Sequence, residues 1–234
     1  MNIVITGASR GIGYETARIL ARHPGHKIWL ISRNEVRLNA LVEEAKAKGG
    51  AALIPVVADL QAKDMKSSVE NTFAGVKRID IIIHNAGALV NKPFDQISDE
   101  ELDYTYNVNV LSVFRLTQVL APLMGGNSRG HIVNISSMGG FQGSLKFPGL
   151  SAYSSSKAAL SGLSECLAEE FKERNIAVNC LCLGAVQTEM LQEAFPGYKA
   201  PLAAVDMAEW IAYFAQEGHK YFNGKILPVS LSTP

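Results

Sequence analysis

The chain has 234 residues, of which 47% are hydrophobic and 19% are charged, and its acidic and basic residues balance to no net charge at pH 7. That balance argues against a nucleic acid or an anionic membrane as partner, and no apolar run is long enough to span a bilayer. The three cysteines, Cys166, Cys180 and Cys182, form no disulfide framework. A strand begins almost at Met1, where a leader would lie, so we expect a soluble, cytoplasmic protein.

Short apolar strands alternate with amphipathic helices along the whole sequence. Strands are predicted at residues 3–6, 27–32, 52–58, 79–84, 131–136, 176–183 and 225–229. Helices are predicted after Gly13 and at 34–48, 62–75, 99–124 (bent at Pro122), 151–174 and 205–216. The pattern is typical of a doubly wound α/β fold, with a parallel sheet of about seven strands and helices on both faces. We expect a single such domain over residues 1–234, with ligands bound where the strands end.

The first predicted strand ends in a turn with three glycines, Gly7, Gly11 and Gly13. The helix that follows has free backbone N–H groups and a positive dipole end, which suit a phosphate. Gly7 lets the chain turn, Gly11 leaves room for a pyrophosphate, and Gly13 lets the helix lie close to the strand. A glycine-rich loop without a ligand is the alternative for the loop taken alone. We predict a dinucleotide cradle here, whose other members are Ser9, Arg10 and Ile12.

The second strand ends in Ser32 and Arg33, where an acidic residue would hold the ribose of NAD. The chain offers a hydroxyl and a guanidinium instead, and Arg10 adds a second guanidinium from the glycine turn. Guanidinium groups bind phosphate oxygens in pairs, so the pattern favours NADP(H), which carries a 2′-phosphate. The alternative is that both arginines are solvated surface residues.

Two further strand ends belong to the same predicted site. Asp59 could accept a hydrogen bond from an adenine amino group or cap the next helix, and the residues alone leave both open. Leu60 follows it at the same edge. Asn85, Ala86 and Gly87 are small enough to leave room for a flat ring or a ribose against the backbone.

No metal site is expected. The five histidines are scattered without ligand spacing, and Cys180 and Cys182 are expected to be buried strand residues. His84 ends an apolar strand without a carboxylate partner, so a role as catalytic base is not expected.

The segment after the fifth strand carries the predicted chemistry. Tyr153 and Lys157 lie four residues apart on a helix, so their side chains share one face. A neighbouring ammonium stabilises a phenolate and brings the pKa of the tyrosine nearer to the working range of an acid. A serine at the strand end could hold a carbonyl oxygen while Tyr153 protonates it. Taken alone, such a tyrosine–lysine pair is more often part of the surface of an amphipathic helix.

These motifs occur in an order that resembles one known family. Thr6-Gly-x-x-x-Gly-x-Gly13, Asn85-Ala-Gly87, Ser137 and Tyr153-x-x-x-Lys157 resemble the short-chain dehydrogenase/reductase family, in its single-domain branch with a Rossmann-type fold. The resemblance implies that Ser137, rather than Ser136, is the catalytic serine. It also implies that Asn109 is a fourth catalytic residue, which bends its helix and binds a water linking the lysine to solvent.

The resemblance implies further cofactor contacts as well. Asp59 matches an adenine contact, Thr188 a hydroxyl that holds the nicotinamide end, and Lys157 a ligand of the nicotinamide ribose. Leu183 stands where the family usually has proline, so the position of the nicotinamide is expected to differ slightly. The expected cofactor-binding residues are completed by Tyr153, Gly184 and Val186.

The substrate pocket is predicted from the segments after Ser137 and after Thr188. They offer few charged side chains and no cluster of arginine or histidine that could clamp a phosphate or carboxylate. The predicted apolar walls are Phe141, Phe147, Leu150, Leu183, Met190 and Phe195.

The leading hypothesis is an NADP(H)-dependent oxidoreductase that interconverts a carbonyl and an alcohol on a small to medium, largely apolar substrate. Tyr153 would act as acid and base. The alternative is a catalytically silent dinucleotide sensor or scaffold. The helices over 99–124 and 151–174 carry apolar residues on more than one face, and in the resembling family they pack across a two-fold axis. We expect a homodimer, with a tetramer as the alternative.

Overall fold

Nine strands lie in two sheets in the computed structural model, which describes residues 1–231. Their bounds are β1 Asn2–Thr6, β2 Lys27–Ser32, β3 Ala52–Val57, β4 Ile81–His84, β5 Gly130–Ser137, β6 Ile176–Leu183, β7 Val186–Gln187, β8 Leu202–Ala203 and β9 Ile226–Val229. Seven of them form a parallel sheet in the order β3-β2-β1-β4-β5-β6-β9, and β7 pairs with β8. The strand order reverses between β1 and β4, and such a reversal leaves a crevice at the carboxyl ends of the strands.

Eight helices connect the strands and cover both faces of the large sheet. They are α1 Gly11–Leu20, α2 Glu35–Ala47, α3 Met65–Phe73, α4 Asp99–Tyr106, α5 Ser112–Leu120, α6 Ser151–Glu170, α7 Glu189–Ala194 and α8 Ala204–Glu217. Side chains alternate across a strand, so Ile3 and Ile5 of β1 pack with α1, α2 and α8, while Val4 packs with α3, α5 and α6. The predicted doubly wound fold with seven parallel strands is confirmed; residues 232–234 of the expected domain lie outside the described residues.

The prediction of one continuous helix over 99–124 is wrong, because the structure divides this range into α4, a π turn, α5 and a 3₁₀ turn. A π-helical turn at Asn107–Leu111 separates α4 from α5, and Pro122 lies in a 3₁₀ turn at Ala121–Leu123. The side chain of Asn109 binds neighbouring segments, which stabilises the extra residue of the π turn. The helix predicted to reach residue 174 ends at Glu170, because a 3₁₀ turn and a left-handed Asn175 follow it. The helix predicted from residue 62 begins at Met65, after two successive turns.

Two buried histidines lie in the core. The Nε2 atom of His84 lies 3.1 Å from Thr117 Oγ1, and His131 Nδ1 lies 2.9 Å from the carbonyl oxygen of Ala215. The side-chain amide of Asn179 donates to His131 Nε2 at 3.0 Å, so this ring is neutral. Burial lowers the pKa of both histidines from 6.5 to about 3.

The free energy of unfolding is expected to fall as the pH drops from 6.5 toward 3. In this window the unfolded chain protonates His84 and His131 while the folded protein does not, so each contributes a slope of about 1.4 kcal/mol per pH unit. Urea unfolding at pH 7, 5.5 and 4.5 measures the slope. His84→Gln should make it shallower, whereas His23→Gln, at an exposed position, should not. Equal slopes in all three proteins would contradict the assignment.

Candidate functional site

A cavity of about 580 Å³ opens at the carboxyl ends of the strands, at the strand-order reversal. All but three of the residues predicted for the site line it. The lining residues among them are Gly7, Ser9, Arg10, Gly11, Ile12, Ser32, Arg33, Asp59, Leu60, Asn85, Ala86, Gly87, Ser137, Phe147, Leu150, Tyr153, Lys157, Leu183, Gly184, Val186, Thr188, Met190 and Phe195. The exceptions are Gly13, Asn109 and Phe141.

The glycine turn needs its glycines for two different reasons. Gly7 and Gly11 have φ angles of +68° and +56°, a region that favours glycine. A Cβ atom on Gly7 would also lie 2.8 Å from the Cα of Ala86. Gly13 lies behind the cavity, where a Cβ atom would collide with the Asn85 amide and the carbonyl oxygen of Gly7. It therefore permits close packing of α1 instead of contacting a ligand.

The turn is fastened to the end of β4 by hydrogen bonds. Thr6 Oγ1 accepts from the backbone N–H groups of Asn85 and Ala86, at 3.1 and 3.0 Å. The side-chain amide of Asn85 donates to the carbonyl oxygens of Thr6 and Gly7. Two neighbouring strand ends thus form one rigid floor under the cavity.

The end of β2 meets the glycine turn through two serines. Ser32 Oγ donates to Ser9 Oγ at 2.7 Å. Asp59 lines the cavity, and its carboxylate accepts from the backbone N–H of Gln61. Because α3 begins only after Asp64, the interpretation of Asp59 as a helix cap is wrong.

The two arginines predicted to bind a phosphate have different surroundings. Arg33 lines the cavity and makes no ion pair within residues 1–231. The guanidinium of Arg10 instead lies 2.8 Å from Glu193 and 3.3 Å from Glu189, both on α7. A third arginine, Arg37 of α2, contacts Glu189 at 3.1 Å. Sequence reasoning missed Arg37, since only the fold brings it to α7.

Ser137, Tyr153 and Lys157 meet between the end of β5 and the start of α6. Ser137 Oγ accepts from the backbone N–H of Gly139, and Lys157 Nζ lies 5.9 Å from the Tyr153 ring centroid. Lys157 Nζ donates to the carbonyl oxygen of Ile135 at 2.8 Å. The ammonium is therefore anchored to the strand, on the same side of the cavity as the tyrosine ring.

Burial dominates the electrostatics of this cluster. It lowers the pKa of Lys157 to about 8. It also raises the pKa of Tyr153, against a smaller lowering by the hydrogen bond with Ser137. The direction for Tyr153 is opposite to the one expected from a neighbouring ammonium, because the low-polarity surroundings disfavour a phenolate more strongly.

Asn109 is fully buried in the π turn and supports the site from behind. Its side chain accepts from the N–H of Ala88 at 2.8 Å and donates to the carbonyl oxygen of the same residue and to Ser156 Oγ at 2.9 Å. A Cβ atom on Gly87 would lie 3.5 Å from both Asn109 Oδ1 and Lys157 Nζ, so asparagine and lysine are close. Asn109 thus joins the π turn, the segment after β4 and α6.

The expected apolar wall is present without Phe141. Met138–Gly140 form a 3₁₀ turn against α6, and the carbonyl of Phe141 accepts from Lys146, so the chain turns away from the cavity here. The ammonium of Lys146 thus donates its hydrogen bonds within this loop. The cavity has further apolar and aromatic lining residues that the sequence reasoning did not name. Val108 comes from the π turn and Leu191 from α7. The others are Leu89, Tyr104, Met138 and Tyr198.

Two further features, a metal-ligand group and a membrane-spanning helix, are absent from the described part of the chain. Within residues 1–231 no three side chains of His, Cys, Asp or Glu are grouped to hold a metal ion. Over the same range, none of the helices combines the length and apolar character that a membrane span requires. Cys180 and Cys182 are buried free thiols on β6.

Comparisons with known proteins place the chain among oxidoreductases. The family model described as short chain dehydrogenase matches residues 1–199. The chain is 32% identical to 3-oxoacyl-[acyl-carrier-protein] reductase of Chlamydia trachomatis, over 97% of this chain and 94% of that protein. It is 36% identical to the oxidoreductase UcpA of Salmonella typhimurium, over 81% of this chain and 70% of that protein.

Solved structures give the same result. L-sorbose reductase of Gluconobacter frateurii, complexed with NADPH and L-sorbose, matches with a TM-score of 0.87 at 26% identity, over 100% of this chain and 97% of that one. A short chain dehydrogenase of Burkholderia cenocepacia in complex with NADP matches with a TM-score of 0.84 at 28% identity, over 97% and 95%. The chain belongs to the short-chain dehydrogenase/reductase family.

Proposed function

We propose that the protein is an NADP(H)-dependent oxidoreductase that interconverts a carbonyl and an alcohol on a small to medium, largely apolar substrate. One observation carries the proposal: a single cavity is lined by the glycine turn, by Ser32 and Arg33, and by Ser137, Tyr153 and Lys157. The sheet that supports this cavity contains both the first strand of the sequence, β1, and the last, β9. This supports one dinucleotide-binding and catalytic domain over residues 1–234.

The residues present fit a dinucleotide. The turn at Gly7 and Gly11 is open to the cavity, and Gly184, Val186 and Thr188 line it as well. The nicotinamide, when bound, supplies or accepts the hydride at the carbonyl carbon. Lys157 would hold the ribose beside it.

Each catalytic residue has a distinct task in this proposal. Tyr153 donates a proton to the carbonyl oxygen during reduction and removes it during oxidation. Ser137 holds that oxygen by a hydrogen bond, and Lys157 stabilises the phenolate that forms. Asn109 positions the π turn and the lysine beside it, which maintains the path of the proton.

NADPH is expected to bind at least about tenfold more tightly than NADH, since one charge-assisted bond between a guanidinium and the 2′-phosphate suffices for that ratio. The support lies in Arg33, which has no ion pair among the described residues, in Ser32, and in the NADPH and NADP complexes of the two related structures. Titration of Kd for both cofactors checks it. Arg33→Ala should remove most of the preference, and Arg22→Ala, at an exposed position on another surface, should leave it. Equal Kd values in the parent protein would contradict the expectation.

The apolar wall supports a neutral substrate. Phe147, Leu150, Met190 and Phe195 line the cavity, whereas Lys146 is bonded within its own loop. NADPH oxidation should be measured with a neutral aromatic ketone, an aliphatic aldehyde, L-sorbose, a 3-oxoacyl thioester and a dicarboxylic ketone. The neutral apolar carbonyls should give the highest kcat/KM, and a clear preference for the dicarboxylic ketone would contradict the proposal.

The silent sensor is the second candidate, and the same assay separates it. It would bind NADPH without oxidising it with any carbonyl of the panel. The intact set of Asn109, Ser137, Tyr153 and Lys157 favours the enzyme.

A homodimer through α4, α5 and α6 is expected in solution. Leu102, Leu111 and Phe114 are 40–46% exposed on α4, α5 and the π turn, an apolar surface that a second copy would cover. Light scattering at micromolar concentration should give twice the chain mass, with a tetramer as the alternative. Phe114→Asp should yield monomers, whereas Val36→Asp, on the exposed side of α2, should not; a monomeric parent would contradict the expectation.

A further inference from the structure

Four charged side chains link α7 to the cofactor end of the cavity. Arg10 of the glycine turn contacts Glu193 at 2.8 Å and Glu189 at 3.3 Å, and Arg37 of α2 contacts Glu189 at 3.1 Å. The two glutamates lie four residues apart, one helical turn, so α7 turns both toward the glycine turn. These pairs span 152 to 183 residues of sequence.

The ion-pair network lies at the mouth of the cavity. The side chains are 41–63% exposed, so water and a charged ligand can reach them. Exposed ion pairs of this kind are weak and exchange partners easily. Arg10 and Glu189 line the cavity itself.

The charge of a ligand decides whether it can compete with the two carboxylates for Arg10. A phosphate monoester carries about −1.5 to −2 charges at pH 7 and binds a guanidinium in pairs of hydrogen bonds, so it can draw Arg10 away from a carboxylate. NADH shares the pyrophosphate but has no 2′-phosphate, so it brings no phosphate monoester to compete. Only the phosphorylated cofactor therefore has to exchange places with the glutamates of α7.

We propose that Glu189 and Glu193 are specificity-determining residues, which compete with the 2′-phosphate of NADPH for Arg10 and thereby limit the preference for NADPH over NADH. Arg37 holds Glu189 in position for this competition. The inference rests on the proposed binding of a dinucleotide in the cavity, and it adds two carboxylates to the arginines that the sequence indicates.

The test compares Kd values for NADPH and NADH in the parent protein and in the double variant Glu189→Gln/Glu193→Gln, at low ionic strength. Glutamine keeps the length and the helical preference of the side chain and removes its charge. The Kd for NADPH should fall about three- to tenfold, as expected for the loss of two exposed pairs, and the Kd for NADH should change less than twofold. Glu70→Gln/Glu209→Gln, with the same change of charge at exposed positions of α3 and α8, should change neither.

The outcomes separate this inference from the proposed function. If both Kd values fall equally, or the Kd for NADPH does not fall, the inference is overturned, even where the parent protein prefers NADPH and reduces carbonyls. If the parent protein shows no preference but the double variant acquires one for NADPH, the inference stands and the expected preference of the parent protein fails. If neither protein binds either cofactor, both the inference and the proposed function are overturned.

Discussion

Tyr153→Phe is expected to lower kcat by at least about a hundredfold while leaving the Kd for NADPH within about threefold of the parent value. The substitution keeps the half-buried ring and removes only the hydroxyl, the group that would give up the proton. Steady-state rates with saturating NADPH and a carbonyl substrate, together with a fluorescence titration of the cofactor, measure the two quantities separately.

The matched control is Tyr104→Phe, because Tyr104 lines the same cavity from α4. It loses the same hydroxyl at a position without a predicted role in proton transfer, so kcat should stay within about threefold of the parent value. If Tyr153→Phe retained more than about a tenth of the parent kcat, or if both variants lost equally, Tyr153 would not be the acid.

Gly140→Ala is expected to damage stability and activity together. A Cβ atom on Gly140 would lie 2.5 Å from the carbonyl carbon of Lys157 and 2.6 Å from the backbone nitrogen of Ala158. Helix α6 would have to move away from β5, at a cost of about 1–3 kcal/mol in the free energy of unfolding. The same movement displaces Tyr153 and Lys157 from Ser137. A displacement of about 1 Å is expected to lower kcat by about ten- to a hundredfold.

Gly75→Ala is the control for this substitution. A Cβ atom there has no neighbour within 4 Å, and its φ angle is not in the left-handed region. Its unfolding curve in urea and its kcat should match those of the parent protein. A Gly140→Ala variant with the parent's stability and kcat would show that α6 does not depend on this contact.

The periodicity of the sequence predicted the sheet and most helices, because strands such as β6 are apolar at every position but Asn179 and the glycine turn is a local signal. The π turn at Asn107–Leu111 escaped prediction, since it depends on bonds from Asn109 to Ala88 and Ser156, which are distant in sequence. Strands β7 and β8 have two residues each, too few for a periodic pattern.

The candidate site was predictable where a residue's role follows from its place at a strand end. Ser32, Asp59 and Ser137 line the cavity for that reason. Ion pairs between residues distant in sequence were not predictable. The sequence therefore indicates Arg10 as a phosphate ligand but does not indicate its ion pairs with Glu189 and Glu193. The raised pKa of Tyr153 was missed in the same way, because burial is a property of the packed site rather than of the helix that carries the residue.

The hydrogen bonds of Thr6 and Asn85 have a consequence for the kinetics of association. They fix the glycine turn to β4 through backbone groups on both sides. A receptor surface that is already ordered loses little conformational entropy when its ligand arrives. The pyrophosphate should therefore dock in one step at a rate set by diffusion and orientation, and any slower phase after mixing would come from the exchange of ion pairs at α7.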